Sequence, residues 1–213
     1  MGARLQPWGV MAMSMLRNKF TNHGWFQLAA SYLSSRFLAV EERLQTALRY
    51  VELHKDNRDT FSYEFASILR DSGSLFSSVA DALVAGTKAT TGHKYKFGDY
   101  RDFLLSEVPD IFRRTVTLRH CFPGGIVVPF EELRARAGVP AWWHAYNQVK
   151  HHEYDDFRKG NLENCVTAIS ALALLGHLMG VFVSDAMFVN VGIAYSDSSV
   201  DVSDERRLFP RRY

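Results

Sequence analysis

Apolar positions recur along this chain at helical spacing. In residues 25–54, Leu33, Phe37, Val40, Leu44, Ala47, Leu48 and Val51 return every three or four places. Glu41, Glu42, Arg43 and Arg49 fill the opposite face, and KDNRD at 55–59 ends the run with turn formers. A second stripe, Phe65, Ile68, Leu69, Leu75, Phe76, Val79, Ala82 and Leu83, predicts a helix over 62–85. Thr60 or Ser62 suits its N-cap, and Glu64 suits its positive end. Gly73 within it is expected to weaken or bend the helix, at roughly 1 kcal/mol against Ala.

Residues 86–98 read as a polar, basic loop. A third helix is expected over 99–119, kinked or split at Pro109, with CFPGGIVVPF after it as a turn and a short extended piece. Residues 130–137 suit a helical turn closed by Gly138. Pro140 marks the start of a fourth helix, 141–158, broken by Gly160 and Asn161. The fifth, 162–189, is apolar nearly all round from Val166 to Val183, which predicts burial on most sides.

That last run invites comparison with a membrane span, since it holds Gly176-xxx-Gly180. His177 stands at its middle and no basic cluster flanks it, so a central core helix is the better expectation. The predicted fold is all-α: an antiparallel bundle of about five helices, with a short extended insertion between the third and fourth. Residues 1–24 read as a loose leader, 25–190 as the bundle, and 191–213 as a polar tail that packs weakly. Leu208, Phe209 and Tyr213, set among arginines, suit docking on a partner.

Composition changes this picture little. The 213 residues are 47% hydrophobic and 23% charged, enough for one domain with a real core. A formal net charge of +2 does not by itself point to nucleic acid. Cys121 and Cys165 form no disulfide framework, so a reducing, cytoplasmic setting is expected. Phosphate loops, dinucleotide fingerprints and nucleophile elbows are lacking from the sequence.

Candidate chemistry concentrates in WWHAYNQVKHHEYDDF, residues 142–157. Positions four apart share a helix face, so Trp143, Asn147 and His151 align, with Tyr146 and Lys150 in the next row. Histidine titrates nearest neutrality, asparagine can orient a substrate, and lysine can stabilise a developing phosphate charge. These parts suit RNA cleavage through a 2′-hydroxyl, which needs an acid, a base and a cation. No metal site is expected: adjacent histidines point about 100° apart on a helix, and His151–Asp155 is the one good i,i+4 pair. Asp155 is expected to hold the His151 ring instead.

The order YLSSRFLAVEERLQTALRYVELHKDN, TFSYEFASILRDS, then W-W-x-x-Y-N-x-x-K-H and a buried helix resembles uncharacterised bacterial helical proteins. That group looks like a divergent branch of the HEPN superfamily, over roughly residues 26–190. The resemblance implies a homodimeric helical bundle and a metal-independent ribonuclease of a bacterial defence or toxin system, without cofactor. The family motif, Arg-Asn-x-x-x-His, carries onto Asn147 and His151, while its Arg falls on Tyr146. The missing cation then comes from Lys150, from Arg113, Arg114 or Arg119, or from nowhere. Arg114 with His120 also fits the looser Arg-to-His spacing, as do two other pairs in this chain. Trp143 and Tyr146 are expected beside them as binding residues. The alternative is a non-catalytic helical module that assembles with a partner protein, with the same residues acting structurally.

Overall fold

The structure, a computed structural model, describes residues 24–87, 95–118, 125–135, 137–151, 153–179, 193–196 and 207–209. Among them five helices form an antiparallel bundle, as the periodicity predicts. They are α1 (Gly24–Ala47), α2 (Tyr63–Thr87), α3 (Phe97–Glu107), α4 (Ala141–His151) and α5 (Leu162–Leu178). α2 and α5 lie at the centre, and each packs against both α1 and α4.

Local signals explain the best-defined starts. The Ser62 hydroxyl accepts the Phe65 N–H at 3.0 Å, which caps α2. The Asn161 side chain accepts the Asn164 N–H at 3.0 Å and opens α5. The neighbouring amides of Leu162 and Glu163 donate to the carbonyls of Thr60 and Arg58, so this helix end is satisfied by the turn before α2. α5 is buried around most of its circumference. No helix among the described residues is long and apolar enough to cross a membrane. Arg43 ties α1 to α2 through Glu64 (2.8 Å), Asp71 (2.5 Å) and Ser67 (2.9 Å).

Several boundaries differ from the pattern. α1 stops at Ala47 and not near residue 54. α3 ends at Glu107, before Pro109, and the predicted second half of that helix is a 3-10 turn, Ile111–Arg113, followed by a strand. The reason is composition: TVTL alternates β-branched residues, which lose rotamer freedom in a helix and fit a pleated surface. This strand, β1 (Thr115–Leu118), pairs antiparallel with β2 (Gly125–Val127) and with β3 (Ile193–Ser196), giving the order β2-β1-β3. β3 comes from the stretch expected to pack weakly. α4 ends at His151, and a helical turn (Glu153–Asp156) and a 3-10 turn (Phe157–Lys159) carry the chain to Gly160. α5 ends at Leu178; the rest of its predicted length, the leader and most of the tail lie outside the described residues.

Gly73 does not interrupt α2. A Cβ placed there would lie 2.3 Å from Cγ of Tyr146, so the missing side chain is the seat of the Tyr146 ring. Glu41 also departs from expectation. It lies inside the Phe37–Val40–Leu44 stripe at 1% exposure, and its Oε1 has no hydrogen-bond partner. Burial pushes its carboxyl up to about 7.

Two outcomes follow. Gly73→Ala forces a methyl group into the Tyr146 ring and should lower stability by about 1–3 kcal/mol in urea unfolding. Glu41 holds its proton more tightly folded than unfolded. Its penalty is therefore absent below about pH 4.5 and complete above about pH 7. At about 1.4 kcal/mol per unit this is on the order of 3 kcal/mol. Glu41→Gln should raise Tm by several degrees at pH 8 and barely at pH 4.5, as read by calorimetry at both pH values.

Candidate functional site

α4 is held at its start by acid and at its waist by aromatics. Glu132 Oε1 accepts the Ala141 N–H at 3.1 Å, and the Pro140 carbonyl accepts the amides of Trp143 and His144. Burial raises the Glu132 pKa, and that hydrogen bond partly offsets the rise. Trp142 Nε1 donates to the Pro129 carbonyl at 2.8 Å. Phe76 of α2 meets Trp142 edge-on at 5.2 Å, and Phe97 of α3 lies 5.0 Å from Trp143. Trp143 in turn lies 5.1 Å from Tyr146 and 5.9 Å from Tyr100.

Trp143 and Tyr146 are therefore core residues, not the binding surface expected of them. The helix turns them toward Gly73, Phe97 and Tyr100, where ring packing outweighs exposure. Tyr100 donates its hydroxyl to Asp81 at 2.5 Å, and burial with this acid holds its phenol above the usual range.

The polar candidates divide. Asn147 lines up between Trp143 and His151 as the spacing predicts, but its amide donates to the Trp143 carbonyl at 2.8 Å and so serves its own helix. Lys150 donates to the Tyr146 hydroxyl at 3.2 Å and lies 5.3 Å from that ring. Lys150 and His151 are both exposed at the end of α4. The Asp155 side chain, expected to hold the His151 ring, lies outside the described residues.

Arg113 and Arg114 are engaged elsewhere. Arg113 lies against Phe112, which Arg134 also approaches, and Arg114 is paired with Asp110 at 3.0 Å. Burial, then the Arg114 charge, lowers the pKa of His177 in the last turn of α5. His151 instead precedes the short connection into the start of α5. Residues 162 and 177 are about 22 Å apart along the helix at 1.5 Å per residue. Arg114 thus belongs to the other end of the bundle. Arg119, His120 and Cys121 lie outside the described residues, and Cys165 is buried with its thiol pKa raised by desolvation.

Beside His151 the connection carries an open aromatic group. Phe157 packs 5.4 Å from Phe61 and 4.3 Å from Tyr63, and the Arg158 guanidinium stands 5.5 Å from the Phe61 ring. Tyr63 and Tyr154 are 76% and 97% exposed.

A groove of about 740 Å³ runs along another side of α4, past Ala141, His144, Ala145 and Gln148. Its lining holds two partly buried ion pairs that spacing does not reveal: Arg58 with Glu163, and Arg207 with Glu131 (2.9 Å for Nη2–Oε1). Their members are far apart in sequence. The one available signal was the arginine-flanked Leu208–Phe209 pair, whose docking place proves to be this chain itself. Among the described residues no group of three His, Cys, Asp or Glu can hold a metal ion. Comparison with protein-family models, with curated proteins and with solved structures finds no match.

The two kinds of motif residue should separate in denaturation. Trp143→Ala should cost about 3–5 kcal/mol, as a deleted core aromatic. His151→Ala should change stability by no more than about 0.5 kcal/mol, as an exposed residue. A large loss for His151→Ala would show that it is structural.

Proposed function

We propose that this chain is an RNA-directed protein of HEPN type, acting in the cytoplasm of a bacterium in a defence or toxin system, with its centre at the C-terminal end of α4. The observation that carries this reading is the joint exposure of Lys150 and His151 at the end of α4, with Tyr154 and Arg158 exposed on the connection that follows and Tyr63 exposed against Phe157 of that connection. Exposed rings stack on unpaired bases at about 1–3 kcal/mol per base, and flanking cations meet the phosphates. In a single strand the 2′-hydroxyl is then within reach of an imidazole.

The chemistry follows from those groups. A neutral imidazole takes the 2′-hydroxyl proton as oxygen attacks phosphorus, and an imidazolium protonates the departing 5′-oxygen. Lys150 stabilises the charge that develops on phosphate. One His151 supplies one of the two proton transfers, and the His151 of a second copy supplies the other, which is why the reading includes a homodimer.

A second reading, a non-catalytic interaction module, draws support from the commitment of Asn147 to its own helix and from the groove on another side of α4.

The deciding assay incubates purified protein with labelled mixed RNA in EDTA, with His151→Ala and Lys150→Ala alongside. Cleavage by the wild type, reduced at least about 100-fold by His151→Ala with Tm unchanged, is the expected result. Equal cleavage by wild type and His151→Ala would remove His151 from the reaction. Absence of cleavage by folded wild type would leave the interaction module as the reading.

A further inference from the structure

A buried ring and a flexible cation meet near the exposed end of α4. The Tyr146 ring sits in the place of a Gly73 side chain, with the Trp143 ring 5.1 Å away, and the residue is 2% exposed. Packed in this way, the ring has little room to move. Lys150 stands one helical turn further on and is exposed. A long side chain on a helix leans back toward the N-terminus, over the residue four places earlier. Lys150 does so: its Nζ donates to the Tyr146 hydroxyl at 3.2 Å and lies 5.3 Å from the ring centre.

The two contacts supply different things. The ring face attracts the charge without fixing its direction. The hydroxyl fixes one N–H. An ammonium has three donors, so two remain for other acceptors. A lysine free in water must be ordered by whatever it binds, whereas one tied to a fixed hydroxyl is ordered beforehand. An oriented charge helps most where negative charge develops during a reaction. Lys150 is also the only lysine or arginine of α4. Asn147 in the same turn spends its amide on the Trp143 carbonyl.

We propose that Tyr146 is a positioning residue: its ring, seated on Gly73, and its hydroxyl hold the Lys150 ammonium ready for the phosphate on which His151 acts. This deepens the RNA reading and rests on it. Tyr146 touches no substrate and acts only through Lys150. Loss of its hydroxyl leaves the charge present but unordered. That loss falls on the transition state, where charge grows on phosphate, and so appears in kcat more than in KM.

Tyr146→Phe tests this, since the ring keeps its seat and only the hydroxyl goes. Full-length wild type, Tyr146→Phe, Lys150→Ala and the double variant are compared on labelled RNA in EDTA. Tyr146→Phe should lower kcat about 10-fold, with KM within about twofold and Tm unchanged. It should add no further loss in the Lys150→Ala background. Side-chain nitrogen NMR without RNA gives a second readout. The Lys150 ammonium signal, assigned by its loss in Lys150→Ala, should exchange with water more slowly than the other lysines in wild type, and no longer do so in Tyr146→Phe. An unchanged kcat for Tyr146→Phe, or the same loss in both backgrounds, overturns the proposal. So does a wild-type Lys150 signal that exchanges like the other lysines, a result that stands even should Tyr146→Phe fail to fold. The RNA reading fails in a different way: no cleavage by folded wild type removes it, and this role with it, whatever the lysine signal shows.

Discussion

The Tyr146 ring occupies the space that a side chain on Gly73 would fill, and the arrangement of α4 depends on that contact. A residue with a Cβ at 73 would push α4 away from α2. With glycine there, Tyr146 reaches the α2 backbone, Trp142 meets Phe76, and Trp143 closes against Phe97 of α3. Three neighbouring aromatics of one short helix are thereby fixed to two different partners. The rotation of α4 about its axis is no longer free. Which of its polar residues face water is decided by this packing before any chemistry enters.

Much of the bundle was legible because its signals are local. Ser62 and Asn161 cap the helices they precede, and the stripes of α2 and α5 are the faces they bury. The failures share a cause, which is that the deciding partner is distant in sequence. TVTL carries a local strand signal in its β-branched residues, but the partner that completes the strand, β3, lies more than seventy residues on and pairs with every residue of β1. Glu41 was set on the wet face because it is charged. Its position between Val40 and Leu44 places it inside the buried stripe at the cost of a raised pKa.

The candidate site shows the same division. Helical spacing aligned Trp143, Asn147 and His151 correctly, but alignment along a helix does not make side chains converge. Trp143 turns inward and its carbonyl takes the Asn147 amide. Lys150 finds Tyr146, four residues before it, whose hydroxyl and ring give the lysine an aromatic platform. No counting of intervals could show that the Arg114 charge acts on His177, in the last turn of α5, because the 3-10 turn at Ile111–Arg113 replaces the helix that the pattern predicts there.

The groove asks for a different balance of energies. Paired arginine and glutamate side chains that are mostly removed from water repay little in stability, since desolvation offsets much of their attraction. Arg58–Glu163 and Arg207–Glu131 are such pairs. What they fix is register: Glu131 and Glu163 are each met by an arginine where water only partly reaches them. An ion pair at this place therefore fixes where Arg207 sits more than it adds stability. The apolar share of the docking is small, one buried leucine and one half-buried phenylalanine. Arg207–Phe209 is therefore placed by its arginine and by the Leu208–Ile126 hydrogen bond more than by apolar burial.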